Sequence, residues 1–208
     1  MPYLTLIGSV TLIHLLAVIS PGPDFIMAVR NSLIYSRRTG MWTAVGFGCG
    51  IAVHISYSLA GLALVISKSI MLFNVIKLLG AGYLVYIGIR SFFSKSAALD
   101  LGEHNKKADI SALAALRIGF LTNALNPKAT LFFLSLFTLV ISPDTPLPIM
   151  LILSSIMIGN TILWFSLVSI FLSQKRIRAV FERFQNVFNK GLGGLLIALG
   201  IKVALTRR

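Results

Sequence analysis

The chain has 208 residues, 56% of them apolar and only 12% charged, with a mean hydropathy of +0.88. A soluble domain carries about 25% charged residues, so too few polar side chains are present to cover a water-facing surface. A soluble enzyme, a disordered chain and a disulfide scaffold (Cys49 is the single cysteine) are poor readings, and an integral membrane protein is expected.

The net charge of +13 fits basic loops beside a membrane better than nucleic-acid binding. At about 20 apolar residues per crossing, the length holds six spans with short loops. The apolar runs fall at about 4–35, 41–67, 70–93, 112–141, 146–172 and 190–206.

The first run has no basic residue ahead of it and no clear small-x-small cleavage site, so it reads as a retained span. It is also too long for one straight crossing. Thirty helical residues reach about 45 Å, against a hydrocarbon core of roughly 30 Å. Ser20-Pro21-Gly22-Pro23-Asp24 interrupts it near the midpoint, where proline removes a backbone donor and glycine adds freedom.

Asp24 is the only acid inside a span, which makes it a functional candidate; capping the half-helix that begins at Phe25 is an equally compatible role. The free N–H groups of that half-helix suit a carboxylate, and Asp24 beside them suits an ammonium or a coupling proton. His14, in the preceding half-helix, reads more readily as an interhelical hydrogen-bonding residue than as a proton shuttle.

In the second run Gly46 and Gly50 form a G-x-x-x-G with Gly48 between them, for close internal packing in preference to a homodimer face. His54 follows, with the same two readings as His14. Tyr83 and Tyr86 in the third run, like Trp164 in the fifth, read as packing or interfacial aromatics. Residues 94–111 then form a charged loop with Asp100, Glu103, His104, Lys106, Lys107 and Asp109, the only candidate linker.

The fourth run repeats the features of the first. It is overlong and is broken at Asn123-Ala124-Leu125-Asn126-Pro127-Lys128, about 104 residues after the first break. Lys128 either snorkels to an interface or meets substrate or Asp24. Asn123 and Asn126 either cap the broken helix or donate into a cavity. Ahead of the last run, residues 174–188 place Ile177, Val180, Phe181, Phe184, Val187 and Phe188 at helical spacing among Lys175, Arg176, Arg178 and Arg183. That pattern fits a helix lying on anionic lipid, or equally the first turns of the final span.

Thirteen of the 19 basic residues fall on the odd-numbered connections, which places those in the cytoplasm and both termini outside. Each break opens a three-span half: about 1–93 and about 112–208, with the loop 94–111 between. Three spans per half makes the halves antiparallel, the pattern of inverted-repeat transporters with substrate at the broken helices. There is no P-loop, no G-x-S-x-G, no H-E-x-x-H and no second intramembrane acid. ATP binding through a P-loop, serine or aspartyl proteolysis, zinc catalysis and divalent-cation transport are therefore poor readings, and neither an enzyme nor a cofactor is expected.

Ser20-Pro21-Gly22-Pro23-Asp24-Phe25, Gly46-x-x-x-Gly50-x-x-x-His54 and Leu121-Thr122-Asn123-x-x-Asn126-Pro127-Lys128-Ala129 resemble the signature stretches of the LysE/RhtB amino-acid exporters, most of all their threonine and homoserine efflux branch. The likeness runs over nearly the whole chain. It implies a bacterial inner-membrane exporter driven by the proton gradient, with Asp24, Asn126 and Lys128 at motif positions. The lack of further intramembrane acids makes a neutral amino acid a better expected substrate than lysine or arginine.

The expected fold is thus all-α, six transmembrane helices as two inverted three-helix repeats with broken first and fourth segments. The expected site is Gly22, Asp24, Phe25, His54, Asn123, Asn126 and Lys128, with an amino acid, protons and the bilayer as partners. Export of another small solute, such as a lactone or an amine, and a passive channel or scaffold are the alternatives.

Overall fold

The computed structural model describes residues 2–20, 22–68, 70–93, 107–140, 145–172 and 174–205. Its regular structure is entirely α-helical. Helix α1 (Pro2–Ile19) and α2 (Pro23–Ile34) follow one another across the first break, and α3 (Arg37–Lys68) and α4 (Ile70–Phe92) are long. The order then recurs: α5 (Ala112–Ala124) and α6 (Pro127–Val140) flank the second break, followed by the long α7 (Leu147–Phe171) and α8 (Lys175–Leu205).

Local chemistry explains the helix starts. α2 and α6 both open on a proline, whose fixed φ suits the first helical position and whose missing N–H costs nothing there. Ser111 caps α5 by accepting from Ala114 N at 3.2 Å, and Asn126 caps α6 by accepting from Lys128 N at 3.0 Å. At α2 the N-cap is Gly22, which has no side chain to offer. The expected capping role of Asp24 therefore does not hold: the helix begins at Pro23, two residues earlier than read, and Asp24 lies within its first turn.

Among the described residues, Arg37–Gly61 and Leu147–Phe171 are each long and apolar enough to cross a membrane. Tyr3–Ile19 and Pro23–Ile34, bent by 57° at the break, qualify as a third span when taken together. Leu78–Phe92, Ala112–Ala124 and Pro127–Phe137 are shorter apolar helices. α8 runs unbroken from Lys175, so of the two readings of 174–188 the backbone follows the continuous one. The side chains of Lys175, Arg176, Arg178 and Arg183, on which lipid binding rests, lie outside the described residues, as do loop residues 94–106.

Two apolar clusters hold the helices together. One gathers Val10, Ile51, Ile55, Leu84, Phe132, Phe133 and their neighbours. The other centres on Phe25, Val29, Phe47 and Phe165, with Phe47 and Phe165 edge to face at 4.9 Å. Helix-to-helix approach in lipid depends on small residues, and here α3 lies directly on α5. A methyl group on Gly46 would collide with the backbone of Leu116 and Phe120, and one on Gly119 with the Thr43 carbonyl. The G-x-x-x-G thus serves internal packing. α4 and α8 cross in the same way through Gly88 and Gly193.

On the loop side, Asp109 clamps the start of α5 to the α2–α3 corner. Its carboxylate accepts from Ser36 Oγ at 2.6 Å and from Thr39 Oγ1. These two hydroxyls hold the carboxyl below the usual aspartate range. Nearby, Lys107 N donates to Ile34 O at 2.8 Å.

Candidate functional site

The two breaks meet. A cavity lies where the two apolar clusters adjoin, and Gly22, Asp24, Phe25, Asn123, Asn126 and Lys128 all line it, together with His14, Phe132, Phe133 and Thr161. It offers about 50 Å³ to the centre of a water-sized sphere. The first turns of α2 and α6 both open on it, so two positive helix-dipole ends converge there.

Placement of the polar groups follows from the stripe Gly46-Gly50-His54 on α3. Gly50 faces Asn123: an added methyl would lie 2.5 Å from Asn123 Oδ1 and 2.8 Å from its Cβ. Only glycine leaves room for that amide. Asn123 Nδ2 then donates to Asp24 Oδ2 at 2.7 Å. One helical turn further on, His54 Nε2 reaches the Asn123 carbonyl at 2.9 Å. A carbonyl only accepts, so Nε2 carries the proton. His54 Nδ1 lies 2.6 Å from Tyr57 Oη, whose O–H donates to it in this tautomer.

His54 is therefore not among the cavity-lining residues, unlike the other candidates. It adds a second donor to the Asn123 carbonyl, which also accepts from Asn126 N at 2.9 Å within the break. Its ring stacks on Phe133 at 5.7 Å with 6° between planes. Lys128 performs the matching task at the other break, where Nζ donates to Ser20 O at 3.1 Å, beyond the end of α1. Its chain passes across Gly22, where an added methyl would touch Lys128 Cδ and Nζ at 3.5 Å. Among the described residues, Lys128 makes this bond and no ion pair with Asp24.

Open bonding capacity remains on both charged groups. Asp24 Oδ1 is buried and has no hydrogen-bond partner among the described residues. An ammonium has three donors, of which Lys128 uses one on Ser20. A carboxylate oxygen and ammonium N–H groups thus face one small cavity whose remaining wall is largely aromatic. No group of three or more His, Cys, Asp or Glu residues fit to hold a metal occurs among the described residues.

A second cavity, of about 370 Å³, adjoins the first and shares Ser20, Gly22, Asn126 and Lys128 with it. Tyr83, Tyr86, Arg90 and Asn189 form its far wall, with the Arg90 guanidinium 6.0 Å from the Tyr86 ring centre. Sequence reasoning found the charged groups through their rarity in apolar runs. It missed Ser20 as an acceptor and Tyr57 as the partner of His54, and it set His14 aside. Main-chain acceptors and aromatic walls leave no such signal.

The chain matches the family described as LysE type translocator over residues 15–207. It is 32% identical over 197 residues to the uncharacterized membrane protein YrhP of Bacillus subtilis (strain 168), covering 91% of this chain and 93% of that one. It is 29% identical over 207 residues to the threonine efflux protein of Escherichia coli (strain K12), and equally to that of Salmonella typhi, covering 98% of this chain and 100% of theirs. No solved structure matches. The extended likeness and the converging broken helices lead to one identification: the chain belongs to the LysE type translocator family, as a bacterial membrane transport protein.

Proposed function

We propose that this protein is a secondary transporter that exports a small neutral amino acid of the threonine or homoserine type from the cytoplasm, driven by the proton gradient across the bacterial inner membrane. The observation that carries the reading is the pairing of an open carboxylate oxygen on Asp24 with an incompletely used Lys128 ammonium on one cavity wall. A zwitterion complements both: its ammonium meets Asp24 Oδ1, and its carboxylate meets Lys128 and the N-terminal turns of α2 and α6. The full-length relatives named threonine efflux proteins support the substrate class.

In this reading α1–α2 and α5–α6 are each one broken span, and with α3, α4, α7 and α8 they make six spans as two inverted repeats. Alternating access then proceeds around the junction of the breaks. Lys128, which borders both cavities, is the moving part between them. The larger cavity beside Arg90 is the cytoplasmic approach, since Arg90 lies at the basic end of α4. Asp24 exchanges the coupling proton, because both His54 nitrogens are already engaged.

Threonine flux in proteoliposomes, with and without an imposed pH gradient and beside a panel of other amino acids, tests the proposal. Saturable, gradient-stimulated threonine transport is expected. Flux that neither saturates nor responds to the gradient means a passive pore. Saturable flux that excludes every amino acid means a different solute.

A further inference from the structure

We infer that His14 reads the side-chain hydroxyl of the substrate and so sets the preference for hydroxylated over purely aliphatic amino acids. The inference rests on the amino-acid reading above and assigns the pole of the cavity that the charged groups leave undefined. His14 is 1% exposed, and neither of its ring nitrogens has a hydrogen-bond partner among the described residues. Its ring forms part of the wall of the same cavity as Asp24 and Lys128.

Buried polar groups in folded proteins are normally paired, because leaving one unpaired costs the desolvation of that group. The other buried histidine among the described residues, His54, follows this rule at both nitrogens. His14 does not. Its ring neighbours are Phe132, with centroids 6.1 Å apart, and Phe133, 5.7 Å apart, both tilted against it. These rings fix the imidazole by packing and supply no partner for its nitrogens.

A neutral imidazole offers one donor and one acceptor, and a hydroxyl offers the same. With the α-ammonium and α-carboxylate of the substrate held at Asp24 and Lys128, the side chain is the part left to meet the rest of the wall. An aliphatic side chain there leaves both nitrogens unpaired, and a hydroxyl pairs one of them. Sites built to bond a substrate hydroxyl discriminate against the analogue lacking it for this reason.

The experiment compares threonine with valine, which replaces the hydroxyl by a methyl of similar size, as substrates for proteoliposomes holding the full-length protein. Wild-type protein is expected to favour threonine by about tenfold or more, and His14→Leu to bring the two within about twofold by lowering threonine transport and sparing valine. His14→Asn, which keeps a donor and an acceptor, is expected to retain part of the preference. It also stands in as the test if His14→Leu fails to fold: threonine preference equal to wild type in whichever variant folds overturns the inference. Wild-type protein that moves threonine and valine equally also overturns it while leaving the transporter reading intact. Wild-type protein that moves no amino acid at all overturns both.

Discussion

Asn123 donates its side-chain amide to Asp24 Oδ2 at 2.7 Å, tying the end of one broken helix to the start of the other across 99 residues of sequence. The bond orients the carboxylate so that its second oxygen remains open, and Gly50 gives the amide its space. Replacing Asn123 by Ala is expected to lower threonine transport about tenfold, while interhelical bonds of this kind contribute only about 1 kcal/mol to stability. Parallel flux assays and thermal unfolding in detergent separate the two effects.

Lys128 closes the same junction from the other side. Lys128→Met removes the donor to Ser20 O together with the proposed partner for a substrate carboxylate. Loss of a charge-assisted bond corresponds to about 10–100-fold in apparent affinity. The expected result is a raised KM for threonine, with Lys128→Arg intermediate because the longer planar fork does not reproduce the reach across Gly22. Initial-rate kinetics over a range of threonine concentrations measure this.

The contact between α3 and α5 is a backbone-on-backbone crossing. Gly119→Val places a branched side chain against the Thr43 carbonyl and is expected to destabilise the protein by about 3 kcal/mol or more. Gly159→Ala, where nothing lies within 4 Å of the added methyl, is expected to leave stability unchanged or slightly raised. Melting temperatures of the two purified variants provide the comparison.

Asp109 offers a pH test. Its carboxyl is held below the ordinary 3.8 by Ser36 first and Thr39 second. A depressed folded-state value means that the clamp stabilises the protein above the ordinary value and is lost as pH falls through the depressed one. Hydrogen exchange at Lys107, whose amide bonds Ile34 O, should therefore show equal structural protection at pH 7 and pH 5. Protection should decline only below the ordinary aspartate value. Asp109→Ala should weaken it at pH 7 and pH 5 alike and remove its decline at lower pH.

Much of this architecture is legible in the sequence, and for identifiable reasons. Overlong apolar runs with Pro23 and Pro127 near their middles place both breaks correctly, because proline acts locally and irrespective of context. Asp24 and Lys128 stand out because charge is costly in an apolar run. The partners are a different matter. Whether Lys128 bonds Asp24 or the Ser20 carbonyl depends on how α1 lies against α6, and no local pattern encodes that. His54 and His14 look alike in sequence, yet among the described residues one is satisfied at both nitrogens and the other at neither, a difference set by tertiary neighbours. The start of α8 is blurred for another reason: its basic, amphipathic first turns suit an interfacial helix as well as a continuation of the last span.

The cavity joining Asp24 and Lys128 is the proposed binding site of the transported amino acid. Counterflow of labelled threonine into proteoliposomes preloaded with unlabelled threonine tests it most directly, because exchange needs the binding site and the carrier cycle but no energy source. Transient accumulation of label is expected with wild-type protein, and its near-complete loss with Lys128→Met purified in the same folded state. Accumulation undiminished in Lys128→Met, or none with the wild type for any amino acid, would contradict it.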